Sequence, residues 1–295
     1  MGIWVLLLAL FGSVVGGPGL PATGSAPQPV VVYELVRPAP TPPTIKARSA
    51  ILMDRDSGAV LFQLNAHGRH APASLLKVLT ALVALEHLRL DQVVTVPVTI
   101  NQIPWDSTRM GLRPGERLTV RELLYGLFLN SGNDAAITLA EAAMPRANFI
   151  ALMNAKAGQL RLADTHAVNP IGLDDPAQYT SAADLAKASI ELTTRFPEVA
   201  AIASTPSITL PATATHHAYG LYNLNQLIRT YPGATGLKTG WTGRAGGCLI
   251  ATATRGSRHL LVVVMGSPSI FTEAATLLDY GFANPKFDAA NAMVS

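Results

Sequence analysis

Two pairs of apolar segments, one near each end of the chain, constrain the fold more than any other feature. Residues 49–54 and 59–64 are β-compatible runs on either side of an Arg-Asp-Ser-Gly turn. Residues 247–254 and 259–265 flank a second turn, Arg-Gly-Ser-Arg. These strands are largely apolar on both faces, so the sheet that contains them is expected to be covered by helices on both sides.

The segment between the two hairpins has helical periodicity instead. Leucines recur at helical spacing from Leu75 to Leu85, and residues 121–129 and 134–143 repeat apolar side chains in the same way. Thr180–Asp184 resembles a capping box that opens another helix, and residues 271–280 form the last one. The sequence therefore predicts an α/β fold, in which an antiparallel sheet has helices on both faces and a helical lobe inserted between its first and later strands.

The N-terminal residues differ in composition from the rest. Residues 3–11 are an uninterrupted apolar run followed by small residues, which is typical of a signal peptide. An uncleaved membrane anchor is the alternative, although the run is short for a full span. We therefore predict an extracytoplasmic protein with a signal peptide (or an uncleaved anchor) over residues 1–26, a Pro-rich tether over 27–46 and a folded domain over 47–295.

Composition argues against several classes of function. Of the 295 residues 14% are charged, and the net charge of +3 comes from scattered Lys and Arg residues. No basic stripe with interleaved aromatic residues is present, which argues against a nucleic-acid partner. The single cysteine, Cys248, permits no internal disulfide, and its apolar neighbours favour a buried strand position. His216 and His217 lack the H-E-x-x-H spacing of a metallopeptidase and are expected in a surface loop, so neither a metal nor a cofactor is predicted.

The first motif that can carry chemistry is Ser-Leu-Leu-Lys at residues 74–77. A spacing of three residues on a helix places Ser74 and Lys77 on one face, one turn apart. Pro72 and Ala73 mark the helix start, where unpaired backbone N–H groups could stabilise an oxyanion. A serine hydroxyl needs a neighbouring base, and Lys77 can act as one if burial or a nearby cation lowers its pKa. The alternative for this motif alone is an N-capping serine and a lysine whose ammonium group reaches solvent.

A second motif, Ser131-Gly132-Asn133, separates two helical segments and is expected to form a tight turn. Such a turn can project the Ser131 hydroxyl and the Asn133 amide into a cleft. Asp134, which comes next, is expected to cap the following helix.

The third motif, Lys238-Thr239-Gly240, is predicted to begin a strand. Glycine at this position lets a substrate backbone approach the strand edge closely. Lys238 and Thr239 then present a cation and a hydroxyl to an anionic group. An exposed lysine on a strand is the alternative.

Together and in this order, the three motifs resemble those of penicillin-binding proteins. The surrounding residues resemble the D-alanyl-D-alanine carboxypeptidase family, peptidase family S11, over about residues 47–282. The stretches that carry the resemblance are PASLLK at 72–77, SGNDAA at 131–136, NPIGL at 169–173, GLKTGWTGRAG at 236–246 and LLDYGF at 277–282.

The resemblance implies a penicillin-binding, β-lactamase-like α/β sandwich and a serine D-Ala-D-Ala carboxypeptidase. Such an enzyme acts on peptidoglycan stem peptides and binds β-lactams, and we expect it to be a monomer. In it Ser74 is acylated, Lys77 is its base and Ser131 shuttles a proton. The N–H groups of Ser74 and Trp241 form the implied oxyanion hole. The residues implied to bind substrate are Asn133, Lys238, Thr239, Gly240, Trp241 and Thr242.

One departure from the family bears on substrate choice. Members usually carry an arginine in the loop after the last sheet strand, whereas residues 266–271 contain no basic residue. We therefore expect a weak preference for a free C-terminal carboxylate and some endopeptidase character.

Three alternative functions stay open. A peptidoglycan DD-endopeptidase uses the same chemistry on cross-linked peptides. A β-lactamase would need a base that activates water, and the E-x-x-L-N stretch that supplies it in class A enzymes is absent. A non-catalytic wall-binding protein would not need Ser74, Lys77, Ser131, Asn133 and Lys238 together.

Overall fold

The computed structural model describes residues 41–284. The predicted signal peptide or anchor over residues 1–26 and most of the predicted tether lie outside the described residues. Residues 41–47 form neither helix nor strand. Within residues 41–284, no helix combines the length and the apolar composition that a membrane span requires.

A five-stranded antiparallel sheet joins the two ends of the described chain. With labels in chain order, its strands are β1 (Ser49–Asp54), β2 (Val60–Leu64), β7 (Ala234–Thr242), β8 (Gly246–Arg255) and β9 (Arg258–Ser267). The strand order is β2-β1-β9-β8-β7, so the first hairpin pairs with the last strand. Ser49 lies opposite Met265 in this pairing. Both predicted hairpins are confirmed.

The residues between the hairpins form the predicted helical lobe. The helices of this lobe are α1 (Lys77–Leu85), α2 (Val120–Leu129), α3 (Asn133–Ala143), α4 (Arg146–Gln159), α5 (Ala182–Arg195) and α6 (Pro197–Ala203). The helices α7 (Leu227–Thr230) and α8 (Ile270–Phe282) lie outside it. There are also two short antiparallel pairs: β3 (Val93–Thr95) with β4 (Arg117–Thr119), and β5 (Ser207–Leu210) with β6 (Tyr219–Tyr222). Two 3₁₀ turns, Ala73–Leu76 and Val98–Gln102, complete the described elements.

The two faces of the sheet are covered by different elements, as the apolar strands require. On β1, Ile51 packs into a large core shared with the lobe helices. Its neighbour Leu52 points the other way, into a smaller core formed with α8. The same alternation separates Val263 from Val264 on β9. Cys248 is fully buried on β8, which confirms its predicted position.

Local signals place several helix ends. Thr119 caps α2 through a complete capping box, because its side chain accepts from the Glu122 N–H and the Glu122 carboxylate accepts from the Thr119 N–H. Ser181 caps α5 by accepting from the Asp184 N–H. The second half of that predicted box is absent, since the Asp184 carboxylate accepts from the Asp164 N–H instead.

The prediction of a surface loop at His216-His217 is only partly right. The two residues lie in a loop ahead of β6, but the His216 side chain is buried. Its ring packs near that of Tyr219, and its Nε2 lies 3.5 Å from Glu122 Oε1. His217 Nδ1 lies 2.5 Å from Glu116 Oε1. These contacts give the pair a structural role.

Candidate active site

Ser74 lies in a short 3₁₀ turn, Ala73–Leu76, directly ahead of α1. In a 3₁₀ turn, side chains three residues apart nearly eclipse one another. This geometry brings Ser74 Oγ to 2.7 Å from Lys77 Nζ, which also donates a hydrogen bond of 3.0 Å to the Ile171 carbonyl. The backbone N–H of Ser74 has no hydrogen-bond partner among the described residues, so it is available to a ligand oxygen.

Two lysines, Lys77 and Lys238, are 0% exposed, which is rare for this side chain. Burial holds the pKa of Lys77 well below its ordinary value, and the nearby Lys238 cation lowers this pKa further, against a smaller opposing effect of Asp134. Burial also lowers the pKa of Lys238 to about 7. A neutral Lys77 amine next to Ser74 Oγ can accept the hydroxyl proton, as a general base must.

The Ser131-Gly132-Asn133 turn joins α2 to α3, as predicted. Ser131 adopts a left-handed conformation with φ of 56°, a backbone state that is uncommon outside glycine and often found at functional sites. Its carbonyl accepts from the Thr108 hydroxyl, and the Asn133 N–H donates to the Thr108 carbonyl. The Asn133 Oδ1 atom is buried and has no partner among the described residues.

Asp134 was predicted to cap α3, and the structure corrects this. The residue at the N-cap is Gly132, and Asp134 is the second residue of the helix. Its buried carboxylate accepts hydrogen bonds of 2.8–2.9 Å from the N–H groups of Met110, Gly111 and Leu112. Asp134 thus connects residues 108–112 to the start of α3. This segment includes Thr108, whose hydroxyl donates to the Ser131 carbonyl.

The Lys238-Thr239-Gly240 motif lies in the middle and second half of β7, which begins at Ala234 rather than at Lys238 as predicted. The strand starts earlier because Ala234, Gly236 and Leu237 already pair with β8. β7 is an edge strand of the sheet and packs against the turn that carries Ser74. A Cβ at position 240 would lie 3.0 Å from the Ser74 nitrogen, so glycine permits this close approach.

A loop that sequence reasoning left without a role completes the site. Asn169 Oδ1 accepts from the N–H groups of Ile171, Gly172 and Leu173, and this compact loop aims the Ile171 carbonyl at Lys77. A Cβ at Gly172, whose φ is 84°, would lie 1.9 Å from the Ala73 carbonyl oxygen. The only sequence signal for this loop was its similarity to the family.

The motifs meet at a cleft with a volume of about 650 Å³. Lys77 and Lys238 lie buried behind its surface, while Trp241 at the rim is 72% exposed. The Thr242 hydroxyl donates to the Asp174 carboxylate at 2.8 Å, so this donor is already occupied. The predicted residues that line the cleft are Ser74, Ser131, Asn133, Thr239, Gly240, Trp241 and Thr242.

The charges on the cleft wall were not predicted. Asp106 and Asp174 line the cleft, and no arginine is among its described lining residues. The loop between β9 and α8 consists of Pro268 and Ser269 alone, because the other residues of 266–271 belong to β9 or α8. Among residues 41–284, no group of three or more His, Cys, Asp and Glu side chains could hold a metal ion.

Comparison with known proteins gives one consistent result. Residues 37–269 match the family model described as D-alanyl-D-alanine carboxypeptidase. A D-alanyl-D-alanine carboxypeptidase of Mycobacterium tuberculosis is 39% identical over 81% of this chain and 84% of its own length. One from Bacillus subtilis is 35% identical over 81% of this chain, but the match spans only 62% of that longer protein.

Solved structures agree with the sequence relatives. A mutant of a Streptomyces DD-transpeptidase superposes with a TM-score of 0.76 at 31% identity, covering 82% of this chain and 100% of that one. Penicillin-binding protein 5 from Haemophilus influenzae has a TM-score of 0.75 at 35% identity and covers 82% and 72% respectively. The expected penicillin-binding fold is therefore confirmed.

Proposed function

This chain belongs to the D-alanyl-D-alanine carboxypeptidase family, and we propose that its Ser74 is the nucleophile that removes the terminal D-Ala from peptidoglycan stem peptides. The serine-type carboxypeptidase activity follows from the family. The assignment of roles to individual residues is carried by one observation, the 2.7 Å contact between Ser74 Oγ and a fully buried Lys77.

In the acylation step, neutral Lys77 Nζ takes the proton of the Ser74 hydroxyl as Oγ bonds to the carbonyl carbon of the D-Ala-D-Ala peptide. The N–H groups of Ser74 and Trp241 stabilise the oxyanion that forms. The C–N bond then breaks, and the leaving D-Ala amine takes a proton that Ser131 relays. The products are an ester on Ser74 and free D-Ala.

In the second step, water attacks the ester carbonyl while neutral Lys77 Nζ takes one of its protons. The C–O bond to Ser74 then breaks, and Lys77 returns that proton to Ser74 Oγ, so the products are the shortened peptide acid and free Ser74. A β-lactam opens on Ser74 by the same first step, but its amine stays attached to the acyl group. Asn133, Thr239 and Gly240 hold the substrate in both reactions, and Trp241 and Thr242 border it. Lys238 lies behind the cleft surface and contributes to binding by attracting the substrate's negative charge. The occupied Thr242 hydroxyl makes Thr242 a boundary of the site rather than a free donor.

The proposal is tested by intact mass spectrometry after incubation with benzylpenicillin. We expect one adduct per chain, which peptide mapping places on Ser74, and its hydrolysis should be slow. The Ser74→Ala variant should show no adduct. A non-catalytic wall-binding protein would form none in either chain.

Two other outcomes would redirect the assignment. An adduct that persists on Ser74→Ala would move the nucleophile elsewhere. Rapid release of hydrolysed penicillin by the unmodified chain would instead make it a β-lactamase, with Asp106 on the cleft wall as the first base to test. Asp174 is less suited to that role, because its carboxylate accepts from the Thr242 hydroxyl and the Arg244 N–H.

A DD-endopeptidase activity is the second candidate, and the charge of the cleft favours it. A carboxypeptidase must bind a free C-terminal carboxylate, yet the described lining contains two carboxylates and no arginine. A cross-linked peptide presents an internal amide at that position and needs no cation there. Digestion of purified cross-linked muropeptides, followed by chromatography of the products, separates the two activities.

We also propose that the protein works as a monomer on the outer face of the cytoplasmic membrane or in the cell wall. The apolar run at residues 3–11 and the family's substrate support this location. Fractionation of cells that express the full chain, with detection by fluorescent penicillin, tests it.

A further inference from the structure

A second cavity, with a volume of about 280 Å³, lies next to the active cleft and differs from it in charge. We call it the basic pocket and define it by Arg48, Arg69, His70, Tyr179 and Arg244. Ala71 and Pro176 complete its lining, which contains no carboxylate among the described residues. Three arginines therefore line one small cavity.

Two of these three cations have no acidic partner among residues 41–284. Arg69 forms an ion pair with Asp164 at 3.1 Å, and its guanidinium lies 4.7 Å from the centre of the Tyr179 ring. The Arg244 side chain donates only to the Asp175 carbonyl, and the Arg48 side chain only to the Arg244 carbonyl, both of which are neutral acceptors. The Arg244 backbone N–H donates to the Asp174 carboxylate, which faces the cleft. Each guanidinium keeps further N–H groups outside these bonds.

The pocket is held in place from several sides. The methylene groups of Arg48 lie over Gly266, where a Cβ would come within 2.7 Å of Arg48 Cδ. The bond from Arg48 to the Arg244 carbonyl links residues 196 positions apart in the chain. His70 Nε2 is buried and has no hydrogen-bond partner among the described residues. A buried imidazole nitrogen without a partner is a feature of a site that awaits a ligand. The three arginines around it are exposed, so a ligand can reach their remaining N–H groups.

From these contacts we propose that the basic pocket binds a phosphoryl oxyanion. The lone pairs of a carboxylate lie in one plane, and a two-pronged guanidinium contact matches that planar geometry. Three arginines from separate chain segments can instead donate to a tetrahedral group, whose oxygens point in several directions. Such a group can come from free phosphate or from a phosphodiester in a wall polymer.

The basic pocket is separate from the catalytic cleft but shares one wall with it. Gly172 and Asp174 of this wall face the cleft, and Pro176 faces the pocket. The Arg244 side chain is bonded to the same wall at Asp175. Binding at the pocket therefore needs neither Ser74 nor a peptide substrate.

The experiment is calorimetric titration of the full chain with inorganic phosphate, without substrate and at constant ionic strength. Arg48→Gln and Arg244→Gln should each weaken phosphate binding about ten- to a hundredfold, since each removes charged hydrogen bonds. Arg48→Lys keeps the positive charge but loses the planar, two-pronged N–H donors of the guanidinium, so its phosphate affinity should lie between those of Arg48→Gln and the unmodified chain. Arg121→Gln is the matched control, because Arg121 is an exposed arginine that does not line the pocket, and its affinity should stay that of the unmodified chain.

Further titrations identify the source of the anion. A glycerol-phosphate oligomer that binds more tightly per phosphate than glycerol 3-phosphate supports the site and assigns it to a wall polymer. Equal affinities support the site and assign it to free phosphate.

Three results would overturn the proposal: no phosphate binding by the unmodified chain, acetate binding as tightly as phosphate, or an equal loss of binding in Arg121→Gln. Thermal unfolding of each variant shows that a loss of binding is not a loss of folding. Because no acyl transfer is involved, any of these results leaves the proposed peptidase function untouched.

Discussion

The floor and the rim of the active cleft follow different physical rules. The floor consists of Ser74, Lys77 and Lys238, with both lysines fully buried and their pKa values lowered by that burial. The rim consists of exposed or already paired groups such as Trp241, Thr242 and Asp174. A change on the floor alters the protonation of the reacting atoms. A change on the rim alters only which substrate is retained.

This difference predicts that substitutions on the rim can change the preferred substrate while the chemistry of the floor stays constant. Desolvated charges on the floor interact strongly because the local dielectric is low. Solvent-exposed groups on the rim contribute little each, because water screens them and competes for their hydrogen bonds. Variants of the floor should therefore have large effects and variants of the rim small ones.

The largest effect is expected from Lys77→Arg. A guanidinium stays protonated at neutral pH and cannot accept the Ser74 proton, so the acylation rate should fall about 10²–10⁴-fold. Stopped-flow measurement with a chromogenic β-lactam gives this rate. Lys187→Arg is the matched control, since Lys187 is exposed on α5, and it should keep the rate of the unmodified chain. If Lys77→Arg acylated at nearly the normal rate, the lysine would not be the base.

The next effect is the pH profile, which should differ between an anionic and a neutral substrate. The acylation rate rises with pH as Lys77 loses its proton, up to the lowered pKa of that group. Lys238 binds an anion only when charged, and its charged fraction falls as pH rises through about 7. The profile of kcat/KM should thus be bell-shaped for a peptide acid, with limbs that approach tenfold per pH unit.

A peptide that ends in an amide is the internal control for this profile. It has no carboxylate for Lys238 to attract, so its kcat/KM should rise with pH and then level off. Steady-state rates of both peptides between pH 5 and 10 provide the comparison. If the pH profiles of the two peptides coincided, Lys238 would not bind the C-terminal carboxylate.

A smaller effect is expected in the choice between those two peptides at a fixed neutral pH. One charged hydrogen bond to the C-terminal carboxylate is worth about 1.5–3 kcal/mol, or about ten- to a hundredfold in rate. With no arginine in the described cleft lining and the Thr242 hydroxyl paired with Asp174, the preference for the free acid should not exceed about a hundredfold. A preference far above that range would require another cation to reach the carboxylate.

The smallest effect should come from Trp241→Ala. Its side chain is mostly exposed, and the substitution keeps the backbone N–H, so acylation should change by no more than about threefold and stability by about 0.5 kcal/mol or less. Gly240→Ala, one position earlier, introduces a Cβ 3.0 Å from the Ser74 nitrogen and should slow acylation far more. If both variants lost the same fraction of the acylation rate, the proposed difference between rim and floor would not hold for neighbouring residues of β7.

The sequence predicted the fold and the floor better than it predicted the rim. The hairpins and the helical lobe followed from periodicity, and the spacing of Ser74 and Lys77 fixes their relation within one turn of chain. The role of Asp134 could not be predicted, since the N–H groups that it accepts from lie in an irregular segment 22–24 residues away. The pairing of Thr242 with Asp174 joins residues 68 positions apart, a contact that no local pattern encodes.

The pairing of β1 with β9 also determines when this protein can fold. Ser49 pairs with Met265 across more than two hundred intervening residues. Contacts between residues so far apart form after local helices and hairpins, so we expect the pairing of β1 with β9 to be a late step of folding. While the chain is being synthesised, its first hairpin lacks a partner until β9 has been made. Folding is then slow and depends on the complete chain, and the ability to be labelled by penicillin should arise only when this last pairing forms. The fraction of molecules labelled by penicillin during refolding would therefore measure the fraction in which the sheet is complete.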